Sequence, residues 1–268
     1  MKRTAVITGG SRGIGIDLVS LFAEKGYTVF NLSRSAGELK STENIIHVPT
    51  DITDDSQVAS AFERVKDESG RIDVLINNAG FGISGAVEFT SAKDAIELFD
   101  VNFFGVHRCI RLATPLLRGS RGRVINVSSA AAIFPIPFQS FYSASKAAIN
   151  SFSLALANEL KDFGISVCAV MPGDVKTDFT AARQKNATGD DLYGGQIEKA
   201  VSIMEKDEQG GLSPSDIAKE ILSIAEKRRI KPLYTLGGKY KLFAVLQKLL
   251  QTYQWFLLDY LILSLYPK

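Results

Sequence analysis

A glycine-rich turn near the start of the chain, placed between an apolar strand and an amphipathic helix, constrains the fold more than any other feature. The apolar run Thr4–Thr8 leads into GGSRGIG at positions 9–15, and Gly13–Lys25 then spaces its apolar side chains as a helix does. Glycines allow the backbone to turn tightly and to approach a pyrophosphate, whose charge is stabilised by the free N–H groups of a helix start. The segment predicts a nucleotide-binding turn, with a purely structural connection as the alternative.

Strands and helices continue to alternate along the chain. Strands that are apolar on both faces, separated by helices, are typical of a parallel sheet covered on both sides. We predict a doubly wound α/β fold, in which ligands bind beyond the carboxyl ends of the strands. No repeat or linker divides residues 1–268, so we expect one domain. The further predicted strands are Thr28–Leu32, Ile45–Val48, Val74–Ile76, Arg123–Val127 and Ile165–Val170, and the further helices are Thr53–Ser69, Ser91–Leu117 and Phe141–Leu160.

Composition narrows the range of functions. The 268 residues are 46% apolar, and 31 basic against 29 acidic residues leave a net charge of +2, which gives no electrostatic reason to expect a nucleic-acid partner. The two cysteines, Cys109 and Cys168, and the two histidines are too few for a zinc site or a disulfide scaffold, so we expect no metal. Isolated thiols, and a first segment without a signal-like apolar run, favour the cytoplasm.

The residues after the second predicted strand bear on the choice of cofactor. The segment Asn31–Ser35 has no carboxylate to bind a ribose 2′-hydroxyl, and Arg34 stands there instead. Arg12 lies in the glycine turn. Two guanidinium groups at one end of an adenosine ribose suit a 2′-phosphate, so we expect NADP(H) to be preferred over NAD(H); either arginine alone would favour a surface role. Asp51, at the end of the third strand, is a candidate acceptor for the adenine amino group.

Tyr142 and Lys146 form the candidate proton-transfer pair. Their i, i+4 spacing at the start of a predicted helix places the phenol and the ammonium on one helix face. Because a free tyrosine has a pKa of about 10, it needs a neighbouring cation to act as an acid or base near neutrality. Ser129, upstream at a strand end, is placed to hold a substrate carbonyl oxygen, with the adjacent Ser128 as the alternative. His107 is more typical of a packed or surface histidine than of a base.

Together these motifs resemble the short-chain dehydrogenase/reductase family, of the branch with TGxxxGxG, NNAG and YxxxK motifs. Thr8–Gly15 matches the first motif, Asn77–Gly80 the second and Tyr142–Lys146 the third, and the match covers about residues 1–180. The resemblance implies a Rossmann-type sheet of about seven parallel strands with helices on both faces. It also implies a homo-oligomer, a dimer or tetramer, formed through the helices Ser91–Leu117 and Tyr142–Leu160.

The resemblance further implies a role for each site residue. Ser129 orients and polarises the substrate carbonyl, Tyr142 transfers the proton, Lys146 lowers the pKa of Tyr142 and binds the ribose, and Asn102 supports a proton relay through a water. The residues expected to contact the cofactor are Gly9, Ser11, Arg12, Gly13, Ile14, Gly15, Ser33, Arg34, Asp51, Ile52, Asn78, Ala79, Gly80, Tyr142, Lys146, Pro172, Gly173, Val175 and Thr177.

Apolar residues near the expected pocket mouth favour a hydrophobic carbonyl or secondary alcohol, such as a steroid or a lipid-like ketone. A 3-oxoacyl thioester reductase is the alternative within the family, and a non-catalytic NADPH-binding regulator is an alternative outside enzymes. A serine hydrolase is not favoured, since the chain has no G-x-S-x-G motif. The apolar residues are Phe81, Phe134, Ile136, Pro137, Phe138 and Phe179.

Two segments depart from the alternation of strands and helices. Asp174–Ser213 is polar and rich in glycine, and we expect it to act as a mobile substrate lid. The C-terminal extension, residues 238–268, is apolar and overlaps a stretch, Lys227–Lys248, with seven basic residues and no acidic one. Its last apolar run, Gln254–Tyr266, is shorter than the roughly 20 residues that a bilayer span needs. We therefore expect the tail to contact a membrane surface, to cover the pocket, or to pack on a partner subunit or its own core.

Overall fold

The computed structural model describes residues 2–40, 42–177 and 179–249, without the side chains of residues 243 and 246–249. The strands are β1 Arg3–Thr8, β2 Tyr27–Ser33, β3 Ile45–Pro49, β4 Val74–Asn77, β5 Ile83–Ser84, β6 Arg123–Val127, β7 Ser166–Pro172, β8 Gln184–Lys185 and β9 Leu233–Leu236. Seven of them form one parallel sheet in the order β3-β2-β1-β4-β6-β7-β9, and β5 pairs with β8 separately.

Nine α-helices lie in the part of the chain that the structure describes. They are α1 Gly13–Glu24, α2 Asp55–Ser69, α3 Ala92–Phe99, α4 Gly105–Ser120, α5 Ser140–Glu159, α6 Phe179–Ala182, α7 Gln196–Gln209, α8 Pro214–Glu226 and α9 Gly238–Leu249. A π-helical turn, Asp100–Phe104, joins α3 to α4. Short 3₁₀ turns lie at Val87–Phe89, Ala130–Ala132 and Lys161–Phe163.

Successive side chains of β1 enter opposite sides of the sheet and so define two core layers. Val6 packs with buried residues of α2, α4 and α5, whereas Ala5 and Ile7 pack with those of α1 and α8. In the second layer, the rings of Phe22 and Tyr27 meet edge to face with their centres 5.0 Å apart. Because side chains alternate with a period of two, a strand that is apolar throughout needs helices on both faces of its sheet.

Three helix starts, those of α2, α3 and α8, follow from a capping residue in the local sequence. The side chain of Asp54 accepts hydrogen bonds from the first turn of α2, and Ser91 and Ser213 do the same for α3 and α8. Helix α1 has no side-chain cap at Arg12, as is also the case at the starts of α4, α5 and α7, and its first turn has no acidic residue. The first N–H groups of α1 therefore face the end of the sheet without a side-chain acceptor.

The strand order reverses at β1, with β2 on one side and β4 on the other. In an open parallel sheet, such a reversal opens a crevice at the carboxyl ends of the strands, where ligands bind. The segments that follow β1, β4, β6 and β7 all reach this crevice. They carry the glycine turn, the NNAG motif, Ser129 and the Pro172–Gly173 pair.

The predicted fold class is confirmed, and the six predicted strands agree with the observed ones to within two residues. The seventh strand, β9, was not predicted individually because it has only four residues, and they directly follow Pro232. The predicted helix Ser91–Leu117 is interrupted by the π-helical turn, which separates α3 from α4.

The polar segment 174–213 is structured where it is described. It contains α6, β8 and α7, and the pairing of β8 with β5 ties it to the residues that follow the NNAG motif. Its action as a lid stays a prediction. Residues 250–268, which carry most of the predicted tail, lie outside the described residues.

Two features of the described residues concern membranes and metals. No helix there has both the length and the hydropathy that crossing a bilayer requires. In the same residues, no three His, Cys, Asp or Glu side chains group as a metal site would.

Candidate active site

A cavity of about 1270 Å³ lies beyond the carboxyl ends of the strands. It runs from the end of β2, past the glycine turn, to the segment around α6 and α7. Of the predicted site residues, those that line it are Gly9, Ser11, Arg12, Gly13, Ile14, Ser33, Arg34, Asp51, Ile52, Asn78, Ala79, Gly80, Ser129, Tyr142, Lys146, Pro172, Gly173, Val175 and Thr177. The structure therefore brings together residues that are far apart in sequence, while Gly15 and Asn102 lie behind the cavity wall.

The glycine turn and the NNAG motif are held together by Thr8 and Asn78. The hydroxyl of Thr8 accepts hydrogen bonds from the backbone N–H groups of Asn78 (3.0 Å) and Ala79 (3.1 Å). In return, Nδ2 of Asn78 donates to the carbonyls of Thr8 and Gly9, each at 3.1 Å. These bonds satisfy backbone groups of two loops that helices and strands leave unpaired, and they fix the turn beside the cavity.

The start of α1 has the features of a pyrophosphate site. Its first N–H groups have no side-chain cap, and Gly13, which lines the cavity, has a positive φ of 55°. Gly15 lies behind the turn, where a Cβ would come within 2.1 Å of the Gly9 carbonyl oxygen. A larger residue at position 15 would push the helix away from the turn. These backbone groups fit a bound dinucleotide, whose phosphates the N–H groups at this helix start would hold.

Charged side chains gather at the β2 end of the cavity. Arg12 and Arg34 are exposed and line this end, as predicted, and so does Asp51, whose Oδ1 accepts from the N–H and hydroxyl of Thr53 at 2.9 and 2.8 Å. Glu38 also lines the cavity and was not among the predicted residues. It lies beyond the strand end that the sequence analysis examined, so only the fold of the loop shows its position.

Tyr142 and Lys146 lie on one face of α5 at the cavity wall, as their spacing predicts. The ammonium nitrogen of Lys146 lies 5.8 Å from the centre of the Tyr142 ring and donates to the carbonyl of Val127 at 2.9 Å. Lys146 is only 5% exposed. A Cβ on Gly80 would stand 3.5 Å from this nitrogen, so glycine at that position leaves the space beside Lys146 open to the cavity.

Burial moves the pKa values of these two groups in opposite directions. It lowers the pKa of Lys146 to about 8 and raises the pKa of Tyr142 to about 12, because in each case the charged form loses contact with water. A hydrogen bond from Ser129 lowers the Tyr142 pKa, the carboxylate of Glu208 raises it, and the guanidinium of Arg183 lowers it. The pKa of Tyr142 is thus raised overall, against the expectation that Lys146 lowers it, because burial outweighs the other effects and the charges that act on the phenol, Glu208 and Arg183, come from outside its helix.

Ser129 and Ser128 have different partners, which separates the two alternatives. The side chain of Ser129 hydrogen-bonds to Tyr142 and accepts from the N–H of Ala131 at 3.1 Å. Ser128 is 4% exposed, and its hydroxyl donates to the carbonyl of Lys146 at 3.0 Å. Both serines line the cavity, but only Ser129 bonds to Tyr142, while the hydroxyl of Ser128 is engaged by the backbone of α5.

Asn102 lies in the π-helical turn and is 1% exposed. Its Oδ1 accepts from the N–H of Phe81 and its Nδ2 donates to the carbonyl of the same residue, both at 3.0 Å. Nδ2 also lies 3.2 Å from the hydroxyl oxygen of Ser145, next to Lys146. Asn102 therefore fixes the loop after the NNAG motif to α5, and its place in a water relay stays a prediction.

The Pro172–Gly173 pair is covered by the start of the C-terminal extension. A Cβ on Gly173 would lie 2.0 Å from the ring of Tyr240, so only glycine allows this ring to pack there. The hydroxyl of Tyr240 donates to Asp174, and Tyr240 itself lines the cavity. No local sequence pattern predicts this contact, because it joins residues 66 positions apart.

The end of the cavity nearest α6 and α7 is mainly apolar. Five of the six predicted substrate-side residues line it, namely Phe81, Phe134, Ile136, Pro137 and Phe179. Phe138 does not line it: its φ is 60°, and its ring packs against Tyr193 with the centres 5.6 Å apart. Met204, Asp207 and Glu208 of α7 also line the cavity and were not predicted, because the polar, glycine-rich composition of residues 174–213 predicts a lid without a helix of its own.

The chain resembles known short-chain dehydrogenases and reductases in sequence. The family model described as short chain dehydrogenase matches residues 3–188. A 3-ketodihydrosphingosine reductase of Bacteroides thetaiotaomicron is 38% identical over 229 residues, which cover 83% of each chain. A short-chain type dehydrogenase/reductase of Helicobacter pylori, VdlC, is 33% identical over 250 residues, 92% of each chain.

Solved structures that superpose on this chain include a short-chain dehydrogenase. A short-chain dehydrogenase from Streptomyces avermitilis superposes with a TM-score of 0.81 at 26% identity, covering 95% of this chain and 96% of its own. The protein ElxO, solved with NADP bound, superposes with a TM-score of 0.74 at 27% identity, covering 90% of this chain and 99% of its own.

The fold and the site define a Rossmann-type oxidoreductase. The family match and the curated relatives make the assignment more specific: the chain belongs to the short-chain dehydrogenase family, and it is an enzyme that acts on CH–OH or carbonyl groups.

Proposed function

We propose that this enzyme is an NADP(H)-dependent reductase that interconverts a carbonyl and a secondary alcohol on a hydrophobic, lipid-like substrate. One observation carries the proposal. Tyr142, Lys146 and Ser129 meet at one wall of a cavity that continues, on one side, into the glycine turn and, on the other, into an apolar pocket. A cofactor and a ketone can therefore reach the same phenol from two directions.

In the reduction, the substrate carbon accepts a hydride, which a bound nicotinamide dinucleotide supplies. The carbonyl oxygen takes the proton of the Tyr142 hydroxyl, so the carbonyl becomes a secondary alcohol. Ser129 orients and polarises the carbonyl by a hydrogen bond to the same oxygen. The ammonium of Lys146 stabilises the phenolate that the proton leaves behind, and its remaining N–H groups are available to the ribose.

Asn102 acts in this scheme as a positioning residue. Its amide makes a two-way hydrogen bond with the backbone of Phe81 and contacts Ser145 beside Lys146. A π-helical turn in an otherwise α-helical segment is frequent at functional sites, because it re-aims one side chain. The turn directs Asn102 toward the loop and α5, and the water relay that family resemblance implies is part of the proposal.

The preference for NADP(H) rests on Arg12 and Arg34. Both guanidinium groups are exposed at the β2 end of the cavity, where charge-assisted hydrogen bonds to a 2′-phosphate are possible. ElxO, a relative in structure, binds NADP, which supports the proposal. Glu38 lies at the same end and opposes it by repelling a phosphate.

The substrate proposal rests on the apolar end of the cavity. Phe81, Phe134, Ile136, Phe179 and Met204 line it, which suits a long alkyl chain or a steroid better than a sugar. The relative from Bacteroides thetaiotaomicron is named for a 3-keto lipid. A long-chain 3-ketone is therefore the leading candidate, with a 3-oxoacyl thioester and a steroid as alternatives.

We also propose a homo-oligomer in a reducing compartment such as the cytoplasm. Phe104 of the π turn is 49% exposed and Leu154 of α5 is 42% exposed, and apolar side chains of this size are suited to a subunit interface. Both cysteines are free thiols and buried, which agrees with a reducing compartment. The C-terminal tail is proposed to contact a membrane surface, to cover the pocket or to pack on a partner subunit.

The first prediction concerns Tyr142. Tyr142→Phe should lower turnover at least about a hundredfold, because it removes the proton donor, while the affinity for NADPH changes little. Turnover is measured by NADPH oxidation with a panel of a long-chain 3-ketone, a 3-oxoacyl thioester, a steroid ketone and a small ketone. Tyr193→Phe is the control, since Tyr193 bonds to Glu88 away from the cavity. Turnover kept in Tyr142→Phe would contradict the proposal.

The second prediction concerns cofactor choice. Arg34→Asp should shift the ratio of kcat/KM for NADPH to that for NADH toward NADH by about tenfold or more, since a charge-assisted bond is lost and a repulsive charge is gained. Arg228→Asp makes the same change of net charge at an exposed position outside the cavity lining and should leave the ratio unchanged. An unchanged ratio in Arg34→Asp would show that Arg34 is wrongly assigned.

The third prediction concerns the tail. Deleting residues 251–268 should reduce binding to anionic liposomes, reduce the sedimentation coefficient of the oligomer, or change the preference among the ketones of the panel. Each readout identifies one of the three proposed contacts: membrane, partner subunit or pocket. A truncated enzyme that matches the full chain in all three measurements would remove the tail from the proposal.

A further inference from the structure

A buried ion pair lies beside Tyr142, outside the motifs of the family. The guanidinium of Arg183 donates through Nη2 to Oε1 of Glu208, and the hydroxyl of Thr180 donates to Oε2. The side chain of Arg183 is 1% exposed and that of Glu208 is 16% exposed. Burying a charged pair costs desolvation energy, and apolar residues of similar volume often replace such pairs without loss of stability, so stability alone does not explain this one.

The side chain of Phe179 contacts both Tyr142 and Arg183, and so connects the ion pair to the phenol. The rings of Tyr142 and Phe179 lie with their centres 5.6 Å apart, and the guanidinium carbon of Arg183 lies 5.9 Å from the centre of the Phe179 ring. Glu208 lines the catalytic cavity itself. The ion pair thus joins the segment that follows α6 to helix α7. Phe179 lies between Arg183 and the ring of Tyr142.

The hydrogen-bonding groups of Arg183 are only partly satisfied. In the part of the chain that the structure describes, its Nε and Nη1 are buried and have no hydrogen-bond partner. An unpaired buried N–H group costs about 1–3 kcal/mol, so a structure that keeps two of them at one residue needs a reason. A guanidinium with free donors exerts a stronger positive field on its surroundings than one that is fully bonded.

We propose that Arg183 and Glu208 are a positioning pair for Tyr142, which holds Phe179 against the phenol ring and sets the electric field at the phenol oxygen. This inference rests on the proposed role of Tyr142 as the proton donor. The charged groups that face Tyr142 are Lys146 on its own helix, Arg183 after α6 and Glu208 on α7, and Asp207 lines the same cavity. Glu208 raises the Tyr142 pKa, and Arg183 lowers it.

The test uses the opposite signs of the two charges. In the oxidation of the alcohol, Tyr142 acts as the base, so activity rises with pH through the apparent pKa of the site. Glu208→Gln removes the anion and should move this acid limb to lower pH, whereas Arg183→Met removes the cation and should move it to higher pH. Each shift should be about half a pH unit or more, and the double variant should return toward the wild type.

A neighbouring ion pair provides the matched control. Lys185 of β8 and Glu205 of α7 lie two and three residues from Arg183 and Glu208, respectively, but their side chains are 45% and 32% exposed. Glu205→Gln and Lys185→Met should leave the pH profile unchanged, because neither charge is among those that shift the pKa of Tyr142. Thermal unfolding of every variant shows whether a variant with a changed pH profile is still folded.

The same shifts can be measured without turnover. NMR of tyrosine labelled at Cζ, in the full chain saturated with NADP⁺, follows the titration of Tyr142, whose signal is identified by its loss in Tyr142→Phe. Opposite shifts in the two single variants support the pair. Shifts in the same direction, or none, overturn it. If Arg183→Met does not fold, Glu208→Gln and the double variant still decide the question.

This outcome is separable from that of the proposed function. Loss of turnover in Tyr142→Phe, together with unchanged profiles in Glu208→Gln and Arg183→Met, overturns the positioning pair alone. Turnover retained in Tyr142→Phe overturns the proposed function first, and the inference falls with it.

Discussion

The other residues of the site are arranged around the buried ammonium of Lys146. A lysine that is 5% exposed loses most of its hydration, which is why burial lowers its pKa to about 8. The carbonyl of Val127 accepts one of its three N–H groups, which leaves donors for a ribose hydroxyl and for the charge that develops on Tyr142. A cation held in this way is fixed in place, and in the proposed mechanism its field acts on the phenolate without the cost of orienting solvent.

The parallel sheet explains why the groups around Lys146 meet. The glycine turn follows β1, the NNAG motif follows β4, Ser129 follows β6 and the Pro172–Gly173 pair follows β7, and all four strands end on the same side of the sheet. The chain then ties these loops to one another, through Thr8 and Asn78 on one side and through Asn102 on the other. The site is therefore rigid where the motifs lie.

The sequence predicts well those features that depend on local patterns. Tyr142 and Lys146 share a helix face because the spacing of four residues demands it, and the parallel pairing of the sheet follows from apolar strands that alternate with helices. Glu208, Arg183 and Tyr240 could not be found in this way. Their positions depend on how α6, α7 and α9 pack over the cavity, and a helix such as α7 carries no local signal that one acidic residue turns inward. The same is true of Phe138, whose positive φ directs its ring to Tyr193 and out of the pocket.

The pH dependence of carbonyl reduction in wild type and in Lys146→Arg tests the role of the ammonium most directly. Because the charged form of Lys146 is lost above its lowered pKa, kcat/KM of the wild type should fall above pH about 8. A guanidinium does not titrate in this range, so the residual activity of Lys146→Arg should show no such fall near pH 8. A wild-type profile that is flat through this range, or a decline that persists near pH 8 in the variant, would contradict the account.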